Sequence, residues 1–140
     1  MNQDATPKIV KEWFANANED LRAAKALFQL SSKNYARTVP YLCQQATEKS
    51  IKGYLTFKKL KFEKTHDIGK LKNLVLPIQP DLMTILTEAD QLTDFAIAFR
   101  YPGSANIEAT IEDSIFALDI ASKVYDTMSS LIPFSSQWDI

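Results

Sequence analysis

The chain has one cysteine, one histidine and three glycines in 140 residues, and each shortage removes a class of explanation. A single cysteine, Cys43, excludes an intrachain disulfide, and its apolar surroundings mark it as a small core residue rather than a nucleophile. With His66 as the only other soft ligand, a zinc site lacks its usual donors. No CxxC, HExxH, GxSxG or glycine-rich phosphate loop is present, so no metal and no cofactor is expected. The scarcity of glycine and of β-branched runs leaves little from which to build the turns and strands of a sheet. No apolar run approaches the length of a membrane span, and the polar Met1–Lys8 segment has no signal-peptide core. A cytoplasmic protein that neither crosses nor binds a membrane is therefore expected.

What is present is helical periodicity. A first helix is predicted from Thr6 or Pro7 to Leu30, with Thr6 as cap and Trp13, Ala17, Leu21, Ala24, Leu27 and Phe28 as its inner stripe. A second covers about Tyr35–Leu60 and contains Pro40, placed either in the first turn or at a kink. A short third helix, about His66–Leu76, has Thr65 as cap and Ile68, Leu71, Leu74 and Val75 inward. The fourth runs from Asp81 to about Phe99, where Arg100-Tyr101-Pro102-Gly103 stops it. In the fifth, about Ile107–Leu131, Ile111, Ile115, Leu118, Ala121, Val124, Tyr125 and Met128 recur at helical spacing. These elements predict an all-α, up-and-down bundle of four to five helices in one domain, 1–132, with a short tail at 133–140.

Charge is unevenly placed. Residues 48–72 hold eight lysines against three acids, whereas residues 80–140 hold two basic groups against ten acids. The basic middle either faces a polyanion or neutralises the acidic C-terminal helices, within one chain or across a dimer.

Three polar clusters stand out. On the second helix, Gln45, Glu48, Lys49 and Lys52 gather on one stripe. Thr65-His66-Asp67 opens the third helix, and Arg100-Tyr101-Pro102-Gly103 closes the fourth. Taken singly, each is ordinary helix surface or helix punctuation. Their order is more specific. Gln-Gln-Ala-x-Glu-Lys-x-x-Lys, then Thr-His-Asp, then Arg-Tyr-Pro, preceded by Asn18-Glu19-Asp20-Leu21-Arg22-Ala23-Ala24, resembles the HEPN family over residues 8–131.

That resemblance implies a helical bundle, often a homodimer, of the kind that partners a minimal nucleotidyltransferase in toxin–antitoxin modules. It implies nucleotide- or RNA-phosphate binding by Gln45, Glu48, Lys49, Lys52, His66, Arg100 and Tyr101. Lys49, Lys52 and Arg100 are suited to phosphate, and Tyr101 to stacking on a base. Many members of the family are metal-independent ribonucleases that use an arginine followed four to six residues on by a histidine. Here Ala105, Asn106 and Ile107 occupy those positions, and an asparagine cannot shuttle a proton near pH 7. Three readings stay open: a binding protein, a ribonuclease using Arg100 with His66 or Asn106, and a structural dimerisation or docking module.

Overall fold

The computed structural model describes residues 4–100 and 108–134, with side chains left aside at 96–100. Helix α1 spans Thr6–Ser31. Its start is held by Asp4, whose Oδ1 accepts from the Thr6 amide at 3.0 Å and the Thr6 hydroxyl at 2.6 Å. The expected capping by Thr6 is thus corrected: Ala5 stands at the cap position without a side-chain bond. These hydrogen bonds, the hydroxyl first, hold the Asp4 carboxyl down to about 2 from its ordinary 3.8. A depressed carboxyl stabilises the fold above its ordinary range, and this help is lost as the pH falls through about 2. The inner stripe is Val10, Phe14, Ala17, Leu21 and Ala24. Trp13 lies half-buried at its edge.

Helix α2, Thr38–Phe57, is the centre of the bundle and packs against all four other helices. Pro40 sits in its first turn, where a missing amide hydrogen is harmless, so no kink is needed. A helix surrounded on every side must bury both its faces. Ile51, Tyr54 and Leu55 are accordingly fully buried, and so are the polar Gln44, Thr47, Glu48 and Ser50. Thr47 and Ser50 return their hydroxyls to the carbonyls of Cys43 and Ala46, both at 2.8 Å. Cys43 is inaccessible, and burial pushes its thiol up to about 12, which leaves it un-ionised and inert at neutral pH.

The end of α2 is closed by a lysine in a glycine's place. Lys59 has φ 57°. The amide of Leu60 bonds the carbonyl of Leu55 at 2.9 Å, and that of Lys59 bonds Thr56 at 3.0 Å, the paired bonds of a left-handed helix stop. A side chain in that conformation costs about 1–2 kcal/mol, and the exposed Lys59–Asp4 ion pair at 3.1 Å offsets little of it. Lys59→Gly is expected to raise stability by about 1 kcal/mol. A thermal melt should show a midpoint higher by a few degrees, whereas an unchanged or lower midpoint would mean that the ion pair outweighs the strain.

Helix α3, Ile68–Val75, begins two residues later than expected because Asp67, not Thr65, is its cap. Asp67 Oδ1 accepts from the Gly69 amide at 2.9 Å, while the Thr65 hydroxyl accepts from the Asp67 amide at 3.0 Å. Ile68, Leu71 and Val75 face the core, but Leu74 is exposed, contrary to the inward position expected of it. In eight residues a single stripe covers the core, and Leu74 falls beside it.

A 3-10 turn at Pro80–Leu82 leads into α4, Met83–Arg100. Helix α5, Ile111–Ser130, opens with a capping box in which Thr110 and Asp113 exchange side-chain and backbone bonds. Its core stripe is Ala117, Ile120, Ala121, Val124 and Met128, whereas Ile111 and Ile115 are exposed. In the first turns of α5 the inward positions are Ser114 and Ala117, not the Ile111 and Ile115 that periodicity assigned to the core. The fold is an all-α bundle of five helices among the described residues. Of the expected tail, Phe134 packs edge-on against Phe14, and residues 135–140 lie outside the described residues.

Candidate functional site

Two of the three clusters found in the sequence meet at one carboxylate. Glu48 is buried, and its Oε2 accepts from Lys52 Nζ at 2.8 Å. Its Oε1 is 2.9 Å from His66 Nδ1 and accepts from Gln44 Nε2 at 3.2 Å. Gln44 also donates to the His66 carbonyl at 3.0 Å, so the residue is held at ring and backbone together. Gln45 donates in turn to Gln44 Oε1 at 2.7 Å. A chain of hydrogen bonds thus runs from the centre of the bundle to the loop before α3.

The ion pair differs from the surface pair that i, i+4 spacing suggests. The Lys52 and Glu48 side chains are only 8% and 4% exposed. The Lys52 ammonium is 5.7 Å from the centroid of the Trp13 ring and 5.9 Å from that of Phe62. Two aromatic faces and one carboxylate thus replace the water that the ammonium gives up.

His66 is the exposed end of this network, with its side chain 73% accessible. A neutral imidazole bonded to a carboxylate through Nδ1 carries its proton there and leaves the Nε2 lone pair outward. Among the described residues Nε2 has no protein partner. The loop that carries it is pinned further by the Ile68 amide, which donates to Thr93 Oγ1 of α4 at 3.1 Å.

Lys49 is placed differently. Its ammonium pairs with Asp20 of α1 at 2.7 Å, joining the second-helix motif to the Asn18–Ala24 pattern of the first helix. The structure therefore brings Gln45, Glu48, Lys52 and His66 into one network and ties Lys49 to α1. The Arg100 side chain, Tyr101 and Asn106 lie outside the described residues, although Arg100 is the last residue of α4.

Gln44 is the residue that sequence reasoning passed over. Gln44, Glu48 and Lys52 follow at four-residue intervals, which is the signal that places them on one face. The contribution of Trp13 and Phe62 was not legible, because both meet Lys52 only after the bundle is assembled. No group of three or more acidic, histidine or cysteine side chains able to hold a metal occurs among the described residues. No helix among them is long and apolar enough to cross a membrane.

Comparison with known proteins agrees with this architecture. A crystal structure of an archaeal HEPN homologue superposes with a TM-score of 0.67 at 23% identity, covering 87% of this chain and 96% of the other. That identity speaks to the fold alone. Comparison with curated proteins gives no match. The model of the HEPN domain matches residues 10–131, which take in α1 from Val10 onward, all of α2 to α5 and the whole Glu48 network, and the chain belongs to the HEPN domain family.

Proposed function

We propose that this HEPN domain binds a nucleotide or RNA phosphate at His66 and acts with a nucleotidyltransferase-like partner in a module of the toxin–antitoxin type. The observation that carries the reading is the exposed His66 ring anchored by a buried carboxylate, within a segment rich in lysine. The buried carboxylate gives the exposed ring a fixed orientation, which is what a ligand-binding histidine requires. The reading also narrows the contacts. Lys52 and Lys49 each carry an ion-paired carboxylate, so they frame the site more than they grip an anion. His66 supplies the direct contact, and Arg100, the last residue of α4, and Tyr101, next in the chain, are assigned to phosphate and base.

The test is fluorescence anisotropy with a short labelled RNA, and calorimetry with ATP, at low and at raised salt. Wild-type protein should bind more weakly as salt rises, and His66→Ala and Arg100→Ala should each lose about tenfold, the worth of one good polar contact of about 1.4 kcal/mol. Absence of binding at low salt, or binding as tight as wild type by both variants, rejects the proposal. For the partner, co-expression with a small nucleotidyltransferase encoded beside this chain should give one co-eluting complex.

A second reading, a metal-independent ribonuclease, is favoured by one observation, the 2.9 Å bond from His66 Nδ1 to Glu48. Nε2 of such a ring can take the proton of a ribose 2′-hydroxyl while that oxygen attacks the adjacent phosphorus. The 5′-oxygen then leaves and takes a proton from water. Purified protein incubated with RNA in EDTA decides between the two. Cleavage lost in both His66→Ala and Arg100→Ala supports the enzyme, and intact RNA at high protein excess removes it.

A further inference from the structure

Beside His66 lies a groove of about 390 Å³ between the loop after α2 and the outer face of α3. Its volume is at the small end of the range for small-molecule sites. Phe62, Leu71 and Leu74 line it with apolar surface, Thr65 and Asn73 add a hydroxyl and an amide, and its charged walls are Lys61 and Lys70 against the single carboxylate of Glu63. Thr65, at the edge of the groove, directly precedes His66 in the chain, although the imidazole itself is not part of the lining. Phe62 is also the ring against which the buried Lys52 ammonium rests, so one wall is continuous with the Glu48 network.

Two features separate this groove from ordinary surface. Leu74 is an exposed large apolar residue beside the buried stripe of Ile68, Leu71 and Val75, and it lines the groove. Lys61 forms no ion pair among the described residues, and Lys70 has only a 3.4 Å contact to Glu63 in which both side chains are more than half exposed. An apolar floor with an amide and hydroxyl beside it, and ammonium groups at its walls, suits a flat heteroaromatic ring attached to an anion. The surrounding segment 48–72 carries eight lysines against three acids, which favours an anionic occupant, an acidic face of another protein as readily as nucleic acid. Asn73 settles the preference, because an amide offers both donor and acceptor to the edge of a base.

We infer that this groove is a nucleobase subsite, which seats the base of a nucleotide unit whose phosphate lies towards His66, with Lys61 and Lys70 on the flanking phosphates. The inference rests on the proposed binding of a nucleotide or RNA phosphate and adds where the base goes. A free nucleotide and a residue of single-stranded RNA share this chemistry.

The experiment measures anisotropy with a labelled single-stranded eight-nucleotide RNA, the same RNA with one abasic residue at each position in turn, and AMP as competitor. Variants are Leu74→Glu, which places a carboxylate on the floor, the double variant Lys61→Ala with Lys70→Ala, and the remote control Lys33→Glu. Leu74→Glu should weaken RNA at least tenfold, while Lys33→Glu, with twice the charge change, should alter it less than threefold. The double lysine variant should flatten the salt dependence by about two phosphate contacts. At least one abasic position should lose about tenfold. Competition by AMP identifies a free nucleotide as a sufficient occupant, and its failure alongside intact RNA binding identifies the strand; both agree with a base in the groove.

Equal binding of intact and abasic RNA, or equal losses in Leu74→Glu and Lys33→Glu, overturns the groove while leaving phosphate binding at His66 intact. Absence of all RNA and nucleotide binding by the wild type overturns both. Circular dichroism of Leu74→Glu guards against misfolding, and protection of residues 61–74 from hydrogen exchange by RNA in the wild type tests the same point without a substitution.

Discussion

Glu48→Ala is expected to lower stability by about 3–5 kcal/mol, a large part of what a domain of this size possesses. The loss does not come from the pair's attraction alone. Removing the carboxylate leaves the Lys52 ammonium 8% exposed with two aromatic rings as its remaining described neighbours. It also leaves the Gln44 amide and the His66 ring without the oxygen they share. Urea denaturation should show the midpoint falling sharply with an unchanged slope. A change below about 0.5 kcal/mol, the size typical of substitutions at open surface, would show that the pair is solvated.

The double variant Glu48→Leu with Lys52→Met separates stability from function. Replacing both charges by apolar groups of similar volume is often neutral or stabilising by about 1–4 kcal/mol. The fold should therefore survive, while His66 loses the acceptor that orients its ring. If the buried pair exists for the sake of the histidine, RNA-phosphate binding should fall towards the level of His66→Ala in a protein that melts near the wild-type temperature. Full binding by that double variant would make the pair a packing device only.

The network also shows where sequence reasoning stops. The helical class, the number of helices and the Gln44–Lys52 motif follow from periodicity and residue order, and they agree with the fold and the family. Burial does not follow from either. Glu48 and Lys52 read as a solvated pair because charged residues usually are solvated, and only a central helix with neighbours on all sides reverses this. The ends of the helices were displaced for a related reason. Ala5 and Asp67 stand at the caps assigned to Thr6 and Thr65, with Asp4 bonding the Thr6 amide from before the helix, since the choice among adjacent residues depends on where the chain enters each helix. Ile111 and Ile115 continue the apolar spacing of α5, but the helix turns Ser114 and Ala117 inward instead, so the buried stripe runs beside the one that periodicity chose. The join between His66 and Glu48 spans 18 residues and depends on the loop before α3, which no local rule fixes.

Gly53→Ala is the second change expected to have a large effect, and its sign opposes helix propensity. In an exposed helix interior the substitution would add about 1 kcal/mol of stability. Here a Cβ on Gly53 would stand 2.7 Å from Phe14 Cε2 and 3.1 Å from Trp13 Cβ. The Phe14 ring has little freedom to retreat, because Tyr125 and Phe134 meet it edge-on at 6.0 and 5.8 Å between centroids. Trp13 Cβ is fixed to the α1 backbone, so the two helices would have to separate at their closest approach. Overpacking of this kind typically destabilises by about 1–3 kcal/mol, enough to exceed the propensity gain. The thermal midpoint should fall by several degrees, and Trp13 should move from its place beside Lys52 with a change in its fluorescence. Combining Gly53→Ala with Phe14→Leu, which removes the obstructing ring edge, should destabilise less than the sum of the single changes by about 0.5–3 kcal/mol. Strict additivity, or a rise in midpoint for Gly53→Ala alone, would place α1 farther from α2 than the Gly53 contact requires. Because that contact also sets Trp13 against Lys52, loosening it should weaken the anchoring of His66 from the opposite side of the bundle, without touching Glu48 or His66 themselves.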